Sequence, residues 1–132
     1  MAMTYVASAT ILVSRFVKSS GVGTVAQQGT AGDPCIGISQ DGGRYAPVPS
    51  NTADPVEAAQ SGEVLDVICP GEDREATLLL GTGGATVGGH LMSDANGKGV
   101  ALTTGKHAGA IALETGVAGE VIRVRPILYQ MP

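Results

Sequence analysis

The chain is 132 residues long, which suits one domain, and its formal net charge is −4 with only 15% charged residues. This balance excludes the lysine- and arginine-rich surface that nucleic acids require, so we expect no nucleic acid partner. Hydrophobic residues make up 43% and aromatic residues 3%, so Ala, Val, Leu and Ile must fill the core. No segment is long and apolar enough to cross a bilayer, and Thr4 to Val17 lacks the basic start of a signal peptide. We therefore expect no contact with a membrane.

Glycine and proline are frequent and spread along the chain, with 20 Gly and 7 Pro. Such spacing is typical of many short strands joined by turns. The sequence therefore predicts a mainly all-β fold: a small β-barrel or β-sandwich-like domain with an extended N-terminal segment and at most one short helix. Residues 1–18 are expected to form an N-terminal arm or a first strand, and residues 19–132 a single β domain.

The first half of this domain contains two short β-type runs, Gly21 to Gln28 and Cys35 to Ser39. A long loop is expected at about residues 40–61, because an Asp-Gly-Gly turn signal and two prolines interrupt regular ladder bonding there. Inside this loop, Asp54 precedes Pro55, an arrangement that suits an N-cap and a first helical turn. The short helix is therefore predicted over Asp54 to Gln60.

The second half is expected to consist of strands joined by tight turns. Strands are predicted over Glu63 to Cys69, Arg74 to Leu80, Gly109 to Glu114 and Glu120 to Leu128. Asn96-Gly97 is the strongest hairpin signal, because both central residues of such a turn need a positive φ.

The two halves also share an internal echo. Residues 62–67 have the sequence GEVLDV and residues 119–124 have GEVIRV. A short apolar strand precedes each copy, at residues 37–39 and 110–112. Two related β units would explain the echo, and the segment Gln40 to Ser61 would then be an insert in the first unit.

No motif for catalysis or cofactor binding is present in the sequence. The tract Gly81 to Gly89 has Thr86 where a dinucleotide fingerprint needs its third glycine. His90 and His107 lack Cys, Asp or Glu neighbours at metal-ligand spacing, and no Gly-x-Ser-x-Gly elbow occurs. We therefore expect no enzyme activity, no catalytic residue, no metal and no cofactor.

Cys35 and Cys69 are isolated cysteines in apolar, strand-like surroundings. Buried free thiols are the favoured interpretation, and a disulfide between the two is the alternative.

A family pattern appears in short motifs along most of the chain. In the second half it comprises Gly88 to Val100 with an Asp-x-x-Gly-Lys turn, Ala108 to Glu114, and Gly119 to Val124; in the first half it comprises Phe16-Val17-Lys18 and Cys35 to Ser39. The pattern resembles the capsid cement (head decoration) proteins of tailed bacteriophages.

This resemblance implies a compact β domain that binds the outer surface of the expanded phage capsid and stabilises contacts between major capsid proteins. It implies a homo-oligomer, with a trimer favoured, that is made in the host cytoplasm and located on the capsid exterior. Apolar residues of the N-terminal segment are then the candidates for capsid contact: Tyr5, Ile11, Leu12 and Phe16.

Two other function classes remain open at the level of sequence. One is a β-rich binding module of a tail or fibre that binds carbohydrate or protein. The scarcity of aromatic residues counts against sugar stacking. The other is a small enzyme or carrier domain, in which Lys98 in its glycine-flanked hairpin would be the modified residue.

Overall fold

The computed structural model describes residues 3–40, 57–59, 61–71 and 74–130, and every regular element among them is a strand. The predicted all-β fold class is confirmed. The strands are β1 (Met3–Ala7), β2 (Ile11–Leu12), β3 (Phe16–Gly21), β4 (Thr24–Gln27), β5 (Gly37–Ser39), β6 (Glu57–Ala59), β7 (Val64–Ile68), β8 (Ala76–Leu79), β9 (His90–Ser93), β10 (Gly99–Ala101), β11 (His107–Ala112) and β12 (Val121–Gln130).

The first unit of the fold is a closed barrel of five strands in the order β1-β4-β3-β5-β7. β7 pairs antiparallel with both β5 and β1, and a parallel pairing of β1 with β4 closes the ring. β2 and β6 form a separate two-stranded sheet. Along the chain, β2 comes between β1 and β3, and β6 comes between β5 and β7.

The second unit is a five-stranded sheet in the order β10-β9-β11-β12-β8. Its two outer strands meet at one parallel bridge between Leu80 and Gly99. A second bridge, antiparallel, joins Ala85 to Gly116.

The two units are repeats of one topology, as the sequence echo predicted. If β8, β9, β10, β11 and β12 replace β1, β3, β4, β5 and β7, the strand order of the first unit becomes that of the second. The register agrees as well: Ser39 pairs with Val67 in the first unit, and Ala112 with Val124 in the second. The Ala85–Gly116 bridge occupies the position of the β2–β6 sheet, so even this small pairing is repeated.

Hydrogen bonds outside the strands repeat with the topology. The N–H of Ser14 donates to the Ser39 carbonyl at 2.9 Å, and the N–H of Gly88 donates to the Ala112 carbonyl at 2.8 Å. Ser14, with φ of 57°, is the non-glycine residue with positive φ in the described chain, and its counterpart Gly88 has φ of 83°. The repeated backbone thus requires a left-handed residue at this point, which the second unit supplies with glycine.

Two clusters of buried side chains hold the fold together. One fills the barrel of the first unit and comprises Ala7, Ile11, Val17, Val25, Leu65 and Val67. The other is shared between the units and comprises Phe16, Cys35, Ile38, Ile68, Ala76, Leu78, Leu80, Leu91, Ala110, Ala112, Ile122 and Val124. Because one core contains residues of both units, the two repeats pack as one body.

Several predictions for local elements can be compared with these strands. The predicted helix over Asp54 to Gln60 is wrong at Glu57–Ala59, which form β6 because their backbone pairs with β2. Most of the predicted loop at residues 40–61 lies outside the described residues. The hairpin at Asn96-Gly97 is confirmed as the turn between β9 and β10, but the expected positive φ is found at Gly97 and not at Asn96. Of residues 1–18, Met3 and those after it contribute β1, β2 and the start of β3.

Candidate interaction surface

The four predicted contact residues divide into two pairs by burial. Ile11 and Phe16 are both 0% exposed and belong to the two core clusters. Tyr5 and Leu12 are half-buried, and the Tyr5 hydroxyl lies 3.9 Å from the Cys69 sulfur. In this structure, Ile11 and Phe16 contact the chain's own core, so only Tyr5 and Leu12 retain surface for a partner.

The clearest internal docking contact is made by the turn between β9 and β10. The Asn96 carbonyl accepts a hydrogen bond from Gln27 Nε2 at 2.9 Å and a longer one from Arg15 Nη1 at 3.5 Å. The Gly97 carbonyl accepts from the N–H of Phe16 at 2.8 Å. A Cβ at Gly97 would lie 3.1–3.2 Å from atoms of Gln27, Arg15 and Phe16, so the turn is seated closely on the first unit.

The turn keeps its shape through its own aspartate. Asp94 Oδ1 accepts from the N–H of Asn96 at 2.7 Å and from the N–H of Lys98 at 2.9 Å. A side chain that binds backbone amides two and four residues ahead fixes the turn locally. Asp94 therefore holds the turn in the shape in which it contacts the first unit.

Arg15 is the buried cation beside this contact. It is 8% exposed, and its Nε has no hydrogen-bond partner among the described residues. Burial lowers the pKa of Arg15, and the nearby charge of Asp94 opposes this shift.

Large apolar side chains are exposed at turns, on β1 and on β12. Val22, at the tip of the β3–β4 turn, is 104% exposed, and Val117, in the turn before β12, is 65% exposed. The others are Val6, Val87, Val121, Leu128 and Tyr129. Scattered apolar residues are normal on a protein surface, but a β-branched residue at a turn tip is unusual, since Gly, Asn and Asp favour that position. In the sequence, this feature corresponds to a valine between Gly21 and Gly23.

The outer face of the second sheet carries paired polar and aromatic groups. His90 Nδ1 hydrogen-bonds with the Tyr129 hydroxyl, and the two rings meet edge to face with centroids 5.4 Å apart. Arg123 Nε donates to Glu114 Oε2 at 2.8 Å, which lowers the pKa of Glu114 and raises that of Arg123. These groups are exposed, so their pairing orders the surface more than it stabilises the fold.

Cys35 and Cys69 are not joined by a disulfide, which agrees with the favoured prediction of two thiols. Cys35 is buried and Cys69 half-buried. Burial raises the pKa of Cys35 to about 11. The described residues contain no group of three or more His, Cys, Asp or Glu side chains arranged to hold a metal ion.

The glycine tract Gly81 to Gly89 forms turns and the bridge to the β11–β12 connection. A Cβ on Gly84 would lie 2.4 Å from the Gly116 carbonyl, so this glycine permits a close backbone approach. The positive φ values of Gly83, Gly84 and Gly88 serve the turns in this tract.

The described residues contain no helix with the length and apolar character of a membrane span. No family model matches the sequence. No curated protein matches it either.

The fold and its surfaces define a small all-β protein made of two repeated units. A solved structure has a similar fold: the N base of the head fiber gp8.5 of bacteriophage phi29. It superposes with a TM-score of 0.54 at 15% sequence identity, over 96% of this chain and 92% of that chain. At this identity the likeness establishes a shared fold across nearly the whole chain.

Proposed function

We propose that the chain is a structural protein of a tailed-phage virion that binds the outer surface of the expanded capsid as a homo-oligomer, with a trimer favoured. In this role it stabilises contacts between neighbouring major capsid proteins, and it needs neither a cofactor nor a catalytic residue.

The observation that carries the proposal is the fold shared with the base of a phage head fiber, which extends over 96% of this chain. The motifs that resemble capsid cement proteins support the same class independently, because they are features of sequence and not of backbone shape. Fold alone does not define function, so binding to the capsid is the property to test.

The contact surface is proposed to lie beside β1 and β2. Leu12 and Tyr5 are half-buried there, and Val6 on β1 is exposed. Burial of apolar surface contributes roughly 25 cal/mol per Å² before ordering costs, so each copy binds modestly. Repetition over the lattice then raises the total stabilisation.

Co-sedimentation of the purified protein with expanded, undecorated capsids of its own source tests this function, with unexpanded procapsids as control. Saturable binding to expanded shells, together with higher heat resistance of those shells, is the expected result. Val6→Asp should weaken binding, whereas Val87→Asp, at an exposed turn of the second unit, should not. Equal or absent binding of the wild-type protein to both kinds of shell would refute the cement role.

A second candidate, a binding module of a fibre, is favoured by the structural neighbour, which is the base of a head fiber. Such a module would bind a fibre protein or a cell-surface carbohydrate instead of the capsid lattice. A glycan array and pull-down with the fibre proteins of the same source distinguish the two: binding there, without saturable binding to expanded capsids, would favour the module.

A further inference from the structure

The internal repeat relates two turns that have different surroundings. Val25 and Gly99 occupy equivalent positions, because their carbonyls accept from Ser8 and Gly81 in the same way, at 2.9 and 2.8 Å. Counting back from these positions, the tip Val22 of the first unit is equivalent to Asn96 of the second. The Asn96 turn docks on the neighbouring unit, whereas the Val22 turn is fully exposed.

The contrast extends to the glycine that follows each tip. A Cβ on Gly97 would contact the first unit at 3.1–3.2 Å, but a Cβ on Gly23 would meet no atom of the described residues within 4 Å. The Gly23 carbonyl accepts from the N–H of Val6 at 3.0 Å and has a second lone pair. Unlike the tip of the second unit, the Val22–Gly23 tip thus has no described part of the other unit against it.

The second unit carries the surface that is equivalent to the docking site on the first. The Phe16 carbonyl accepts from Gln28, and the His90 carbonyl accepts from Leu102, at 2.9 and 3.0 Å, so Phe16 is equivalent to His90 and Gln27 to Ala101. In an antiparallel pair, the N–H and carbonyl of one residue point to the same side. The His90 N–H therefore points where the Phe16 N–H points, and none of the backbone hydrogen bonds outside the strands of the described chain has it as donor.

The side chains at the two docking sites match the two tips. The polar tip Asn96 docks on the long polar side chains of Arg15 and Gln27. At the equivalent site, the residues are Gly89 and Ala101, both small. The repeat therefore relates the apolar tip Val22 to the less polar of the two sites, just as it relates the polar tip Asn96 to the more polar one.

From this pairing, we propose that the Val22 turn of one copy docks on the Gly89–His90–Ala101 surface of a second copy. The His90 N–H then donates to the Gly23 carbonyl, and Val22 packs on Ala101. The occupant is a second copy because both halves of the contact lie on this chain, while the tip is fully exposed within one molecule. The contact is heterologous, so it builds a closed ring where the rotation between copies closes, and an open chain otherwise.

Light scattering after size-exclusion chromatography, over a wide range of concentrations, tests the proposal on the full chain. Val22→Asp and Ala101→Asp should each raise the dissociation constant of self-association by about 10- to 100-fold, the loss expected for one buried valine. Val117→Asp, an equally simple change at an exposed turn valine, should leave the mass distribution unchanged. Circular dichroism and thermal unfolding identify any variant that fails through folding.

A mixing experiment distinguishes this heterologous contact from a symmetric one. Val22→Asp leaves the acceptor surface intact, and Ala101→Asp leaves the turn intact. At a concentration where the wild-type protein assembles and each variant alone is monomeric, the two variants should form a complex of two chains when mixed. A monomeric wild-type protein at all concentrations, an unchanged mass for Val22→Asp, or the absence of a mixed complex would each overturn the proposal.

Discussion

Replacing Phe16 by alanine is the most informative perturbation of this fold. The ring is fully buried in the core that both units share, and it lies against Gly109, where a Cβ would come within 2.4 Å of the ring. Removal of a buried phenylalanine ring costs about 3–5 kcal/mol, because the transfer energy is lost and a cavity remains. Since domains of this size are stable by only about 5–15 kcal/mol, a large fraction of the stability should disappear.

Urea unfolding followed by far-ultraviolet circular dichroism is the suitable assay, because the chain has no Trp and only 3 Tyr as fluorescent residues. Val117→Ala is the matched control, since that side chain is mostly exposed and its loss should change stability by less than about 0.5 kcal/mol. An unchanged urea midpoint for Phe16→Ala would contradict the shared core. It would instead favour a detached N-terminal arm in which Phe16 contacts a partner.

Three further changes test other parts of the structure. Ser14→Gly should be about 1 kcal/mol more stable than Ser14→Ala in urea unfolding. Both variants lose the 2.9 Å hydrogen bond to Thr77, but only alanine keeps the strain of a left-handed backbone. The reverse order of stability would contradict the positive φ. Gly109→Ala should destabilise the protein by about 1–3 kcal/mol, because the added methyl group overpacks against Phe16. The same change should cost less in a Phe16→Leu background, and strictly additive effects in this double-mutant cycle would show that residues 16 and 109 are not in contact. Burial raises the pKa of Cys35 from 9.0 to about 11, so the folded state holds the thiol proton more tightly than the unfolded state does. The free energy of unfolding therefore keeps its full value below pH 9 and falls as the pH rises toward 11. Cys35→Ala should lose less stability than wild type over that interval, and parallel curves of unfolding free energy against pH would show that Cys35 is not the cause.

The candidate surface was only partly predictable from the sequence. Apolarity selected Tyr5, Ile11, Leu12 and Phe16 together, but apolarity does not distinguish a residue that contacts a partner from one that contacts its own core. Phe16 is buried because the second unit packs over it, a contact between residues 16 and 109 that no local pattern records. The exposed tip Val22 gives no sequence signal of its own, since a single valine between glycines has no periodicity.

The sequence by itself determined the strand-rich fold class, the Asn96-Gly97 turn and the repeat between residues 62–67 and 119–124, because alternation, turn chemistry and repetition are local properties. Tertiary structure alone decided that Glu57–Ala59 form a strand, since their conformation depends on pairing with β2 and not on the preceding Asp-Pro signal. It also decided that the first repeat closes into a barrel, whereas the outer strands of the second sheet meet at the single bridge between Leu80 and Gly99. The N–H of Leu79, equivalent to that of Val6, donates to the Ser14 carbonyl at 3.0 Å, while Gly97 is engaged by Phe16. A segment of the first unit thus lies between the two outer strands of the second sheet. Leu79 bonds to Ser14, about 65 residues earlier in the chain, and only the packed chain brings such distant partners together.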